Sequence, residues 1–149
     1  MKSEFIEYCK TLGMGDSLIQ SVSTLCEEQE RLLSNRFEDV FVGDYITGEG
    51  KREYDTLHFF SKDFLVEIMN FIAEPQVWVA KFSQSVMCME STKSEYDFLT
   101  CTDRSRWALE VRWASLDFVI RPRASGNNCA QLLAVIRKYV LPLIAAPRT

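Results

Sequence analysis

The stretch from Trp107 to Ile144 constrains this chain more than any other, because two short strand patterns run straight into an amphipathic helix. Trp107-Ala-Leu-Glu-Val-Arg-Trp113 alternates large apolar residues with small or charged ones, the period of two expected of a half-buried strand. Residues 107, 109, 111 and 113 fall on one face, with Glu110 and Arg112 on the other. Asp117-Phe-Val-Ile-Arg-Pro-Arg123 reads as a second strand, in which Phe118 and Ile120 alternate with Val119, Arg121 and Arg123. Gly126 permits a sharp bend, and Asn128 with Gln131 has capping-box spacing, asparagine standing for the usual Ser or Thr. Leu132, Ile136, Tyr139, Val140 and Leu143 line one face of the helix, which Pro142 is expected to kink or end within a turn. A sheet sealed by its last helix follows.

Upstream, Phe5, Ile6, Cys9 and Leu12 recur at helical spacing, with Ser3 available as N-cap. Gly13-Met-Gly15-Asp16 breaks that helix, and Asp16 or Ser17 can cap a second one carrying Leu18, Val22, Leu25, Leu32 and Leu33, widened by Ile19 and Cys26. A helical hairpin over residues 1–36 is the result, ending near Asn35. From Val40 the pattern turns to β. Val40–Ile46 is aromatic and β-branched, Thr47–Glu53 reads as an exposed loop, and Leu57–Phe60 is an apolar run. Phe64–Ile72 fits strand or helix, and Glu74-Pro75 interrupts before strands at Val77–Phe82 and Val86–Glu90. Ser91–Ser94 and Thr102–Ser105 read as turns around a strand at Tyr96–Cys101. No helix between these segments is long enough for a parallel crossover, so an antiparallel meander is expected. One domain over 1–149 suits the length and the lack of any repeat or linker.

The element order resembles the pleckstrin-homology-like superfold, in which a bent antiparallel sheet forms a partly open barrel plugged by the last helix. The resemblance covers residues 40–144, leaves the hairpin as an addition, and rests on the strand–strand–helix ending, without a family motif. Its closing helix carries Tyr139 and no tryptophan, where many members have one. The expected fold is therefore α+β: an N-terminal helical hairpin, an antiparallel barrel or sheet of about seven strands, and a C-terminal capping helix.

Composition excludes several functions. With 47% hydrophobic and 26% charged residues the chain is expected to be globular, and its longest apolar run is far from the roughly 20 residues of a membrane span. Acidic residues interrupt the N-terminus where a signal peptide needs an apolar run, and five scattered cysteines, odd in number and without C-x-x-C spacing, suit buried reduced thiols; a cytoplasmic setting is expected. The net charge of −4 divides into −7 over residues 1–73 and +3 over 74–149, which argues against nucleic-acid binding.

Chemistry finds little support. His58 is the only histidine; it is expected at a sheet edge, and only Cys101, between two threonines, offers it a nucleophile. No calcium loop, Walker loop or dinucleotide motif appears, and neither a metal nor a cofactor is expected. The superfold implies lipid recognition through basic residues in the first hairpin loop. Here Lys51 and Arg52 sit among Glu49, Glu53 and Asp55, so that reading is disfavoured. Arg104, Arg106, Arg112, Arg121 and Arg123 can cluster across strands and turns of the basic half. The reading that remains is a non-catalytic protein-interaction module, with Arg112, Arg121, Arg123, Lys51 and Arg52 as candidate contact residues. A small acidic escort or immunity-type protein with a basic partner, and a small-ligand binder or enzyme, are the alternatives.

Overall fold

The structure, a computed structural model, describes residues 1–81, 86–93, 96–97, 102–103, 106–113 and 119–144, with side chains for 1–81, 106–113 and 119–143. Two helices open the chain, α1 (Ser3–Thr11) and α2 (Asp16–Leu33). Both start one step away from the expected caps. The carbonyl of Lys2, not of Ser3, accepts the first α1 hydrogen bonds, and that of Gly15 does the same for α2. Asp16 lies inside the first turn, where its charge complements the helix N-terminus. Gly13 makes the reversal between the helices at φ +80°, and Ser34 ends α2 in the left-handed region.

The α2 stripe is Ile19, Val22, Cys26 and Gln29, with Leu33 partly buried. At 100° per residue Leu32 falls off that face, and it stands 74% exposed where the sequence reading had placed it in the core.

Strands β1 (Asp39–Ile46), β2 (Arg52–Phe60), β3 (Phe64–Met69) and β4 (Gln76–Lys81) form an antiparallel meander in that order. The Phe64–Ile72 segment is thus a strand followed by a turn. Val40, Val42, Leu57, Phe59, Val66 and Ile68 face the helical hairpin and, with Phe5, Cys9, Val22 and Phe37, form the first core. The opposite face carries Phe41, Phe60, Leu65 and Ala80 into a second core.

A second antiparallel sheet supplies the other side of that core. β8 (Arg106–Trp113) lies between β5 (Val86–Lys93) on one edge and β9 (Val119–Ile120) and β10 (Arg123–Ser125) on the other. Leu109, Val111 and Trp113 are buried and Trp107 packs against them, as the alternation implies. The expected second strand is two pieces, because Pro122 has no N–H for the ladder; its carbonyl still accepts from Leu109 N at 2.9 Å. β5 runs through Lys93 where a turn was expected, and Thr102–Asp103 (β7) pairs with Tyr96–Asp97 (β6). Residues 98–101 lie outside the described set. Among the described residues the strands form separate sheets, with no closed ladder, and no helix is long and apolar enough to cross a membrane.

Gly126, at φ +53°, starts the closing helix with one 3₁₀ turn, Gly126–Asn128. An α-helical stretch, Cys129–Val135, leads into a π-helical turn, Ile136–Val140, and then into Leu141–Ile144. Pro142 was expected to kink or end the helix within a turn, and it lies inside the last described stretch, two residues before Ile144. It cannot serve a carbonyl one turn back, and the widened π turn in front of it accommodates that mismatch. Leu132, Val135, Ile136, Tyr139 and Val140 are buried in the second core, and the Tyr139 ring stacks on Phe60 at 4.9 Å.

The predicted capping box is used otherwise. Neither polar side chain caps the helix; Asn128 Nδ2 donates to the Val42 carbonyl at 2.7 Å and Gln131 Nε2 to the Val40 carbonyl at 2.8 Å. These are alternate residues on the outer edge of β1, and the Val42 N–H between them donates to the Tyr8 hydroxyl at 3.0 Å. Side chains of two helices therefore satisfy an edge that no strand covers in the described ladders.

Candidate binding site

The β1–β2 hairpin contains a bulge. Gly43 pairs with Thr56 and Asp44 with Tyr54, so Asp55 is an extra residue on β2. Gly43 is required there: a Cβ at this position would stand 2.2 Å from Thr56 Oγ1 and 2.7 Å from Asp55 Oδ1. The bulge turns Asp55 out of the ladder pattern and beside Tyr45.

Facing these residues is the turn from β3 to β4. Asn70 adopts φ +53°, and Ala73 N donates to Asn70 O at 3.2 Å. The turn buries Phe71 in the first core and leaves Ile72 exposed. Between hairpin and turn opens a cleft of about 400 Å³ walled by Tyr45, Tyr54, Asp55, Phe71, Ile72 and Glu74, with Asn70 and Ala73 beside them. Tyr54 is held in place by donating to the Leu12 carbonyl at 2.6 Å, and burial pushes its hydroxyl above the usual phenol range. Glu74 has no ion-pair partner among the described residues.

One cation is already seated at the edge of this wall. Arg123 on β10 directs Nε and Nη2 at Asp55 Oδ2, at 2.8 and 2.6 Å, and its guanidinium lies 4.6 Å from the centre of the Tyr45 ring. A carboxylate beside an aromatic face is a receptor for a planar cation, and here the protein itself demonstrates the fit.

The other sequence candidates are dispersed. Arg112 and Arg121 both bind Glu110, at 2.6 and 3.2 Å, and hold its carboxyl below the usual carboxylate range. Lys51 pairs with Glu53 in solvent at 3.3 Å. Arg52 turns inward: Nη2 donates to Asn127 Oδ1 at 2.6 Å and to the Ser125 carbonyl at 3.3 Å, and Nε lies 3.1 Å from buried Asp44. It ties the first hairpin to the start of the closing helix. The structure thus brings Arg123 alone of the five onto residues of the cleft wall. Arg106 is exposed at the start of β8, and Arg104 lies outside the described residues.

His58 is not at a sheet edge. It occupies a central strand, is fully buried beside Phe41, and shares a hydrogen bond with Glu67 Oε2 at 2.8 Å. A catalytic histidine must reach substrate, and this one reaches only protein. Cys101 lies outside the described residues. Among the described residues no three His, Cys, Asp or Glu side chains gather as a metal site.

Tyr45, Tyr54, Asn70 and Glu74 escaped the sequence reading. The one local signal was Asn70, a residue that tolerates the left-handed turn facing the hairpin. Comparison with protein-family models, with curated proteins and with solved structures found no match for this chain.

Proposed function

We propose that this chain is a non-catalytic protein-interaction module that takes a basic segment of a partner in the cleft between Tyr45, Tyr54 and Glu74. The observation that carries the reading is the wall itself, two tyrosines and two carboxylates around an open cleft of about 400 Å³. Aromatic faces and carboxylates together favour ammonium or guanidinium groups. The openness suits a side chain arriving from a larger molecule better than an enclosed small ligand. The acidic balance of residues 1–73 steers a basic partner to this side of the domain.

The frame we propose is pleckstrin-homology-like. In support stand a four-stranded meander, a second antiparallel sheet after it, and a C-terminal helix filling the core between them. Headgroup binding in the first hairpin is disfavoured, since Lys51 is paired with Glu53 and Arg52 is drawn inward. A cytoplasmic setting goes with the reading, supported by the free thiols of Cys9 and Cys26.

A photo-reactive amino acid at Ile72 tests the cleft in a native lysate. We expect cross-links to protein segments rich in Arg or Lys, abolished by Glu74→Arg. Cross-links to acidic or neutral segments, or a yield indifferent to Glu74→Arg, would refute the basic-partner reading.

A further inference from the structure

We infer that Arg123 is a built-in occupant of the cation subsite on Tyr45 and Asp55, and that the partner group recognised there is an arginine which displaces it. The inference rests on the proposed basic-partner reading and adds which side chain is read and what holds its place in the free protein. Tyr45 and Asp55 belong both to the cleft wall and to the Arg123 contact. Asp55 Oδ2 already accepts two N–H groups of Arg123, so a guanidinium that takes this carboxylate from the cleft competes with the incumbent for it.

The geometry selects arginine over lysine. Nε and Nη2 converge on Oδ2 while the flat guanidinium lies over the Tyr45 ring, and an ammonium group cannot donate in that fork and stack at the same time. The incumbent is also easy to move. The Arg123 side chain is 49% exposed and that of Asp55 28%, a solvent-open pair of the kind that contributes little to stability. Glu74, across the cleft and without an ion-pair partner among the described residues, offers an incoming peptide a second anchor that Arg123 does not use.

Removing the charge of Arg123 strengthens binding of any cation, so the deciding variant keeps it. Fluorescence anisotropy would follow a fluorescein-labelled hexapeptide of alternating arginine and glycine, and its lysine counterpart, on the wild-type protein and on Arg123→Lys, Arg123→Gln, Glu74→Gln and Lys51→Gln. The last removes one positive charge on the same hairpin away from the subsite. Weakening the incumbent at constant charge should tighten arginine-peptide binding by about threefold in Arg123→Lys, and removing it together with its charge by about tenfold in Arg123→Gln. Lys51→Gln should change it by less than about twofold, and the lysine peptide should bind more weakly throughout. An Arg123→Lys protein that binds the arginine peptide no better than wild type, while Glu74→Gln still weakens it, overturns the occupancy and leaves the basic-partner reading standing. Binding of neither peptide by any of the five proteins overturns both.

Discussion

The amide of Asn128 donates to the carbonyl of Val42, fastening the first turn of the closing helix to the outer edge of β1. The same amide reaches Asp44 Oδ1 at 2.7 Å, and Asn128 Oδ1 accepts from Tyr8 at 2.6 Å, so one buried side chain joins α1, β1 and the last helix. Burial holds the Tyr8 hydroxyl far above the usual phenol range, which keeps it a donor at any working pH.

Asn128→Ala leaves a carbonyl, a carboxylate and a hydroxyl without one partner each in a buried place. It is expected to lower stability by about 2–4 kcal/mol in urea unfolding, and Tyr8→Phe by less. A double-mutant cycle should show the two losses to be coupled, since both remove the same contact. Full additivity would mean that the helix edge is held by packing and not by this node.

Gly43→Ala tests the bulge. The added methyl collides with Thr56 Oγ1 and Asp55 Oδ1, so these side chains, or the paired strands that carry them, must shift to admit it. The expected loss is about 2–3 kcal/mol, smaller in a Thr56→Ala background because the nearer of the two clashing atoms is gone. The Asp55–Arg123 contact should loosen with it, visible as a changed Arg123 Nε resonance in NMR. Equal costs in the two backgrounds would place the crowding elsewhere.

Asp44 makes stability depend on pH in a direction opposite to that of most carboxylates. Burial raises its folded-state proton affinity, outweighing the hydrogen bonds from Asn128 and Ser125 and the nearby Arg52. The unfolded chain titrates at the ordinary value of about 3.9. Because the folded form holds this proton more tightly, its contribution is complete below that value and is lost as pH rises through the raised folded one. The stability of the wild type relative to Asp44→Asn should therefore fall as pH rises from about 4. A difference that stays flat, or grows, contradicts the assignment.

What was legible in the chain was whatever depends on one segment's own periodicity. The alternation from Trp107 to Trp113 and the stripe from Leu132 to Leu143 place their side chains where the cores need them. Asn128 and Gln131 show the limit: the donors that cap a helix are the donors that seal a strand edge, and spacing within the helix cannot tell which is nearer. Asp55 is a bulge residue only because of the register between β1 and β2, a property of two strands together. The cleft joins Tyr45 to Glu74 through a turn whose direction depends on how β3 pairs with β2. His58 looked peripheral because its partner, Glu67, lies on the next strand.

Leu32 and Ile136 put the same idea to a direct test, since both belong to apolar stripes in the sequence. The structure leaves Leu32 74% exposed and Ile136 only 4%. An aspartate at 136 would carry a charge into the second core, where the described residues around it are apolar. Ile136→Asp should cost about 3–5 kcal/mol in denaturant unfolding. Leu32→Asp lies on the solvent face of α2 and should change stability by no more than about 0.5 kcal/mol. Comparable losses at the two positions would mean that Leu32 is covered by something in solution; comparable tolerance would mean that the closing helix does not pack on the sheets. Only the asymmetry fits a hairpin phased on Ile19, Val22 and Cys26 and a closing helix phased on Leu132, Ile136 and Val140.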